Sequence, residues 1–126
     1  MRRLFAVLGL CTVAACAPSH GPGRQYVVFF GQGSAALDAT GQSVVSRVAK
    51  RAKKYSDRVV DIEGYARQNG DLSTESLLAA KRARAVAEQL VADGVDESRI
   101  RETTRPPSNA EGTVGARRVE IELLTQ

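Results

Sequence analysis

Hydrophobic positions change their period several times along this chain, and each change marks an element. Tyr26-Val27-Val28-Phe29-Phe30 is a continuous β-branched and aromatic run, the pattern of a short buried strand, and Gly31 and Gly33 end it. From near Ala36 or Thr40 to about Tyr55, the residues Val44, Val45, Val48, Ala49, Ala52 and Tyr55 recur at three- and four-residue steps, which predicts a helix. Residues 58–65 then alternate: Val60, Ile62 and Gly64 share one face of a strand, and Asp61, Glu63 and Tyr65 share the other. Gly70 and Asp71 break the chain. A second helix is expected to run to about Ala92, with Gly94 placed for a left-handed C-terminal turn. Residues 98–104 read as a weaker strand and 106–115 as a loop stiffened by Pro106-Pro107. Residues 118–124 return to alternation, with Val119, Ile121 and Leu123 opposite Arg118, Glu120 and Glu122.

The order β-α-β-α-β-β predicts an α/β (α+β) two-layer sandwich, a mixed sheet with two helices on one face. Alternation in two strands leaves one sheet face wet, so both helices pack on the dry face. Strand–helix–strand succession argues for parallel neighbours joined by right-handed crossovers. On the second helix, Val86, Ala79, Leu90, Ala83, Ala87, Ala80 and Val91 fill an arc of about 140°. Arg82 falls about 40° outside that arc, and Glu75 lies on the same border. An arginine there can lay its stem on the core and aim a planar fork at a carboxylate, or snorkel and pair with Glu75 or Glu63.

The N-terminal residues follow a different grammar. Residues 1–15 carry Arg2 and Arg3 and then an apolar run broken only by Gly9 and Thr12, the pattern of an export signal too short to span a bilayer. It ends in Val13-Ala14-Ala15-Cys16-Ala17, which looks like a bacterial lipobox with Cys16 as the acylated residue. Cleavage after Ala17, giving a soluble periplasmic form, is the alternative. Residues 16–25 are rich in Pro, Gly and small polar residues and read as a tether, and residues 26–126 as the folded domain. Removing the leader takes Arg2 and Arg3 with it and lowers the net charge from +4 to +2, which weakens any argument for nucleic acid from charge.

Composition removes most catalytic chemistry. The cysteines are Cys11 and Cys16 and the histidine is His20, all outside the folded region, so no Cys/His metal site, disulfide framework or His-based nucleophilic pair is available there. Asp61 and Glu63 are spaced like paired carboxylates but read as solubilising residues, and no enzyme, cofactor or metal is expected. Gly31-Gln32-Gly33-Ser34 has neither the spacing nor the lysine of a phosphate loop. Arg47, Lys50, Arg51, Lys53 and Lys54 line the outer face of the first helix. With no interleaved aromatic residues they read as a solvated face, with contact to anionic wall polymer or lipid as the other reading.

Glu63-Gly64-Tyr65-Ala66-Arg67-Gln68-Asn69-Gly70, followed by Leu78, Arg82, Ala83, Val86 and Leu90, resembles the OmpA-like domain of the peptidoglycan-associated lipoprotein type. Gly94-Val95-Asp96-Glu97-Ser98-Arg99-Ile100 and Arg117-Arg118-Val119-Glu120-Ile121 resemble later family segments, and Phe29-Phe30 and Leu37 its opening. The resemblance spans about residues 26–124. It implies an outer-membrane lipoprotein, its domain facing the periplasm, that binds diaminopimelate-type stem peptides of peptidoglycan without covalent linkage. In such domains an Asp holds the ligand's ammonium and an Arg its carboxylate. Arg82 falls on the Arg position, Arg67 on the Asp position, and Glu75 replaces an Asn. The resemblance therefore implies Arg82, Arg67 and Glu75 as ligand-binding residues, with altered or weakened affinity. The other implied role is a structural module contacting an envelope protein.

Overall fold

The computed structural model describes residues 26–68, 71–110 and 112–126. The expected leader, the lipidation residue Cys16, the tether with His20, and the Asn69-Gly70 pair lie outside the described residues. The chain forms strand β1 (Tyr26–Phe29), helix α1 (Ala39–Lys54), strand β2 (Arg58–Gly64) and helix α2 (Leu72–Ala92). A 3-10 turn (Glu97–Arg99) then leads into strand β3 (Ile100–Thr104), followed by the single helical turn α3 (Gly112–Gly115) and strand β4 (Arg118–Thr125). The weak third strand thus starts two residues later than its pattern predicts, and a helical turn occupies the end of the expected loop.

The sheet order is β1-β4-β2-β3. Strands β2 and β3 are parallel neighbours, as crossover logic requires, but β4 lies between β1 and β2 and runs antiparallel to both. The expectation of parallel neighbours therefore holds for one pair of strands and not for β1 and β2. The reason is visible in burial. On β4 the inner row Val119, Ile121 and Leu123 is sealed from solvent, as are Val60 and Ile62 on β2. These two strands take the centre, and the short β1 and the mostly exposed β3 take the edges.

Both helices cover the same sheet face. Val44, Val45, Val48, Ala49 and Ala52 of α1 and Ala83, Val86, Ala87 and Leu90 of α2 close one core with Val28, Val60, Ile62, Val119, Ile121 and Leu123. Small residues let the layers approach closely: a Cβ on Gly64 would lie 2.5 Å from the Ala79 carbonyl oxygen of α2. The helix ends are fixed by side chains that the sequence supplies at the right places. The Asp38 carboxylate accepts the Gly41 N–H at 2.7 Å, and Asp71 accepts the Ser73 N–H at 3.0 Å. At the far end of α2, Gly94 takes φ +96°, and the Gly94 and Val95 N–H groups donate to Val91 and Leu90. The Arg99 guanidinium closes α1 in the same sense, donating to the carbonyls of Ala52, Tyr55 and Arg58.

Candidate functional site

At the end of the sheet where β1 and β2 finish and β4 begins, three connecting segments meet the first half of α2. Gln32, Gly33, Arg67, Glu75, Leu78, Arg82 and Arg117 line a cleft of about 170 Å³ there. The structure thus brings Arg67, Glu75 and Arg82 together on one surface, and adds Arg117 from the residue just before β4.

Arg82 is the largest fully buried side chain among the described residues, 1% exposed. The helix wheel put it beside the apolar stripe; the observed stripe is rotated to include it, and Val91, assigned to the stripe, is 42% exposed. Ala80 is exposed as well. What permits a buried guanidinium is a pair of main-chain acceptors that hydrophobicity cannot reveal. Nε donates to the Ser34 carbonyl at 2.8 Å and Nη2 to the Gly31 carbonyl at 3.1 Å, while the group lies 5.5 Å from the Phe30 ring centre. The Ser34 N–H closes the same turn onto Gly31, and Gly33 supplies its positive φ. Neither Glu75 nor Glu63 forms an ion pair with Arg82 among the described residues, so the snorkelling pair considered for it is absent. Two of its five donors hold the turn, and the rest of the group is available to the cleft.

The field in the cleft is positive. Burial pushes the Arg82 guanidinium down from its ordinary pKa; Glu75 opposes that shift, and Arg117 and Arg67 add to it by repulsion. Among the described residues that line it, one carboxylate, Glu75, faces three guanidinium groups. The Nε of Arg117 is buried and has no hydrogen-bond partner, an unmet donor at the site. Its backbone is pinned, because the Phe30 N–H donates to the Arg117 carbonyl at 2.8 Å. Arg67 is carried by a segment held from the neighbouring loop. Ser108 N–H donates to the Ala66 carbonyl, and Gln68 N–H to the Asn109 side chain.

Tyr65 lies on the open sheet face and is not among the residues that line the cleft. Its hydroxyl donates to Glu120 at 2.7 Å and accepts from Arg105 at 2.9 Å, with the Arg118 guanidinium stacked 3.9 Å from the ring centre. Burial, with the hydrogen bond to Glu120 and the charges of Glu120 and Glu63, raises the phenol above its ordinary pKa, against a smaller opposing effect of Arg105. Asp61 and Glu63 stand on this same open face opposite Glu122 and Glu120. Among the described residues no group of three or more His, Cys, Asp or Glu could hold a metal ion.

Sequence reasoning singled out three residues of the cleft. It did not assign Arg117, Gln32, Gly33 or Leu78 to the cleft. Those four gain meaning from the meeting of segments far apart in the chain, and the arginine pair before the last strand was the one signal toward Arg117.

Comparison with known proteins bears on the fold that carries this cleft. The profile of the OmpA family matches residues 29–119. The chain is 37% identical over 103 residues to the probable lipoprotein YiaD of Escherichia coli, covering 76% of this chain and 47% of that protein. It is 37% identical over 101 residues to the peptidoglycan-binding protein ArfA of Mycobacterium tuberculosis, covering 75% of this chain and 31% of that one. The chain thus spans less than half the length of these relatives. Among solved structures, the peptidoglycan-associated lipoprotein of Burkholderia pseudomallei superimposes with a TM-score of 0.71 at 20% identity, covering 79% of this chain and 90% of that one. That likeness is one of fold.

Proposed function

This chain belongs to the OmpA family, and on that premise we propose that it is an outer-membrane lipoprotein that holds peptidoglycan through the cleft around Arg82. Residues 1–15 are the leader, Cys16 carries the acyl anchor, residues 16–25 are the tether, and the domain of residues 26–126 faces the periplasm. Multiple acyl chains suit such a role, since a single chain gives marginal membrane binding. The ligand is the zwitterionic end of a diaminopimelate-type stem peptide. Its carboxylate is received by Arg82 and Arg117, and its ammonium by Glu75.

The observation that carries this reading is the buried, unpartnered Nε of Arg117 in a cleft shared with Arg82. A carboxylate entering there meets the Arg82 fork, held by the Ser34 and Gly31 carbonyls, beside an Arg117 group with a donor to spare, the arrangement that favours charge-assisted pairing. Arg67 stands where the family's acidic residue would receive the ammonium, so affinity is lowered. A lost charge-assisted partner costs about 2–5 kcal/mol, or roughly 30-fold to several thousand-fold in affinity.

Sedimentation with purified sacculi tests the cleft. Arg67→Asp should bind at least about 30-fold more tightly than the natural chain, and Arg117→Gln more weakly. Equal co-sedimentation of all three proteins would remove the cleft from the binding mechanism. Palmitate labelling of the natural chain, lost in Cys16→Ser, tests the anchor separately.

A further inference from the structure

We infer that the end of the domain opposite the cleft is a docking surface for the phosphate headgroups of an anionic phospholipid membrane, built from Arg51, Lys54 and Arg58 around Tyr55. The three cationic groups lie 5.1, 5.6 and 5.3 Å from the centre of one ring. Cations at the last turn of a helix are favoured by its dipole, which accounts for one or two of them. It does not account for their unmet donors. The Nε atoms of Arg51 and Arg58 are both buried without a hydrogen-bond partner. The neighbouring carbonyls of Ala52, Tyr55 and Arg58 accept from Arg99. Asp57 lies in the same turn, yet among the described residues no ion pair joins it to these cations. Helix α1 contains no carboxylate, and Arg47, Lys50 and Lys53 extend the positive surface along it.

Strand register places this cluster relative to the anchor. Tyr26 and Ile62 both pair with Ile121, Arg58 pairs with Thr125, and β1 and β2 run the same way. β1 therefore starts on the side at which Arg58 begins β2 and runs toward the other end, where the cleft lies. Cys16 precedes Tyr26 by ten residues, a stretch that spans at most about 35 Å. An anchored domain is thus held with its cationic end near the lipid and its cleft directed away. Phosphodiester oxygens supply acceptors and countercharge for this cationic cluster, and a tyrosine flanked by cations suits the headgroup layer. The orientation rests on the acyl anchor proposed above; the affinity for lipid does not.

The test uses the unacylated chain from residue 17 onward, which contains every described element. It is sedimented with vesicles of phosphatidylcholine alone and of phosphatidylcholine mixed with phosphatidylglycerol. The chain should partition to the phosphatidylglycerol vesicles alone, and salt should release it. Combining Arg51→Gln, Lys54→Gln and Arg58→Gln should lower partitioning on the order of a hundredfold, and Lys54→Gln alone about fivefold, with Lys54→Arg restoring it. The single substitution at an exposed position keeps the test valid if the triple variant fails to fold. In NMR spectra the Nε–H signals of Arg51 and Arg58 should shift with these vesicles and not with inorganic phosphate at the same phosphate concentration. Absence of partitioning, equal partitioning of Lys54→Gln, or an equal response to free phosphate would overturn the inference. Failure of palmitate labelling with vesicle binding intact would instead remove the anchor and leave this surface in place.

Discussion

Gly64 meets the Ala79 carbonyl of α2 backbone to backbone: a Cβ at residue 64 would stand 2.5 Å from that oxygen. The neighbouring atoms belong to a helix backbone and cannot turn aside as a flexible side chain could. Gly64→Ala should therefore lower stability by about 1–3 kcal/mol, measured by urea unfolding. Because Gly64 precedes the Arg67 segment and Ala79 lies one turn before Arg82, the same substitution should widen the cleft and weaken sacculus binding.

Residues 58–64 and 118–125 show what sequence can disclose about this fold. Their alternation named the wet face, and with it the side on which both helices pack. Asp71 and Gly94 marked the ends of α2 because capping is local chemistry. Neighbour order was not legible, since the continuous run of β1 and the alternation of β2 and β4 are satisfied by several arrangements, and the order is decided by which inner rows need the centre. The cleft was legible through Arg67, Glu75 and Arg82, which fall within a short span of chain. The two carbonyls that allow Arg82 to be buried come from a turn about fifty residues earlier, with no signature in the periodicity of the helix.

Arg82→Lys is expected to damage the fold as well as any binding. Lysine keeps the charge but offers a compact ammonium in place of a fork that reaches the Ser34 and Gly31 carbonyls together. Loss of one of these charged hydrogen bonds should cost about 1.5–3 kcal/mol in urea unfolding. The turn at Gly31 and Ser34 should also exchange its amide hydrogens faster. Unchanged stability would mean that the turn does not depend on Arg82.

Tyr65 predicts a stability loss in alkali. Its folded pKa lies above the unfolded value of about 10. The linked stability is therefore fully present below about pH 10 and is lost as pH rises through the folded value. Absorbance titration of tyrosinate should show a phenol ionising above the ordinary range, absent in Tyr65→Phe. That variant should also lose less stability than the natural chain between pH 10 and the folded pKa.

Asp71 predicts the opposite limb. Hydrogen bonds from the Thr74 hydroxyl, then from the Ser73 and Thr74 N–H groups, hold its carboxyl below the ordinary aspartate range. Its contribution is present above about pH 3.9 and is lost as pH falls through the folded value. Asp71→Ala should fray the first turn of α2, seen as faster amide exchange there, while Asp71→Asn should keep most of the cap and lose the acid dependence. Glu75 donates its N–H to the Asp71 carbonyl, so fraying should also displace that carboxylate from the cleft.

Glu75 and Arg67 are best judged together, because they share the cleft and their effects should not add. If Glu75 receives the ligand's ammonium, Glu75→Gln in the natural chain removes the one carboxylate among the described residues of the cleft and leaves three guanidinium groups facing the ligand. Sacculus binding should fall by about 30-fold or more. In the Arg67→Asp background a new carboxylate takes over that contact, and the same Glu75→Gln change should cost only about threefold. A cycle of the four proteins measures the difference. Additive effects across it would show that Glu75 and residue 67 act on binding separately, and the ammonium contact would have to be assigned elsewhere.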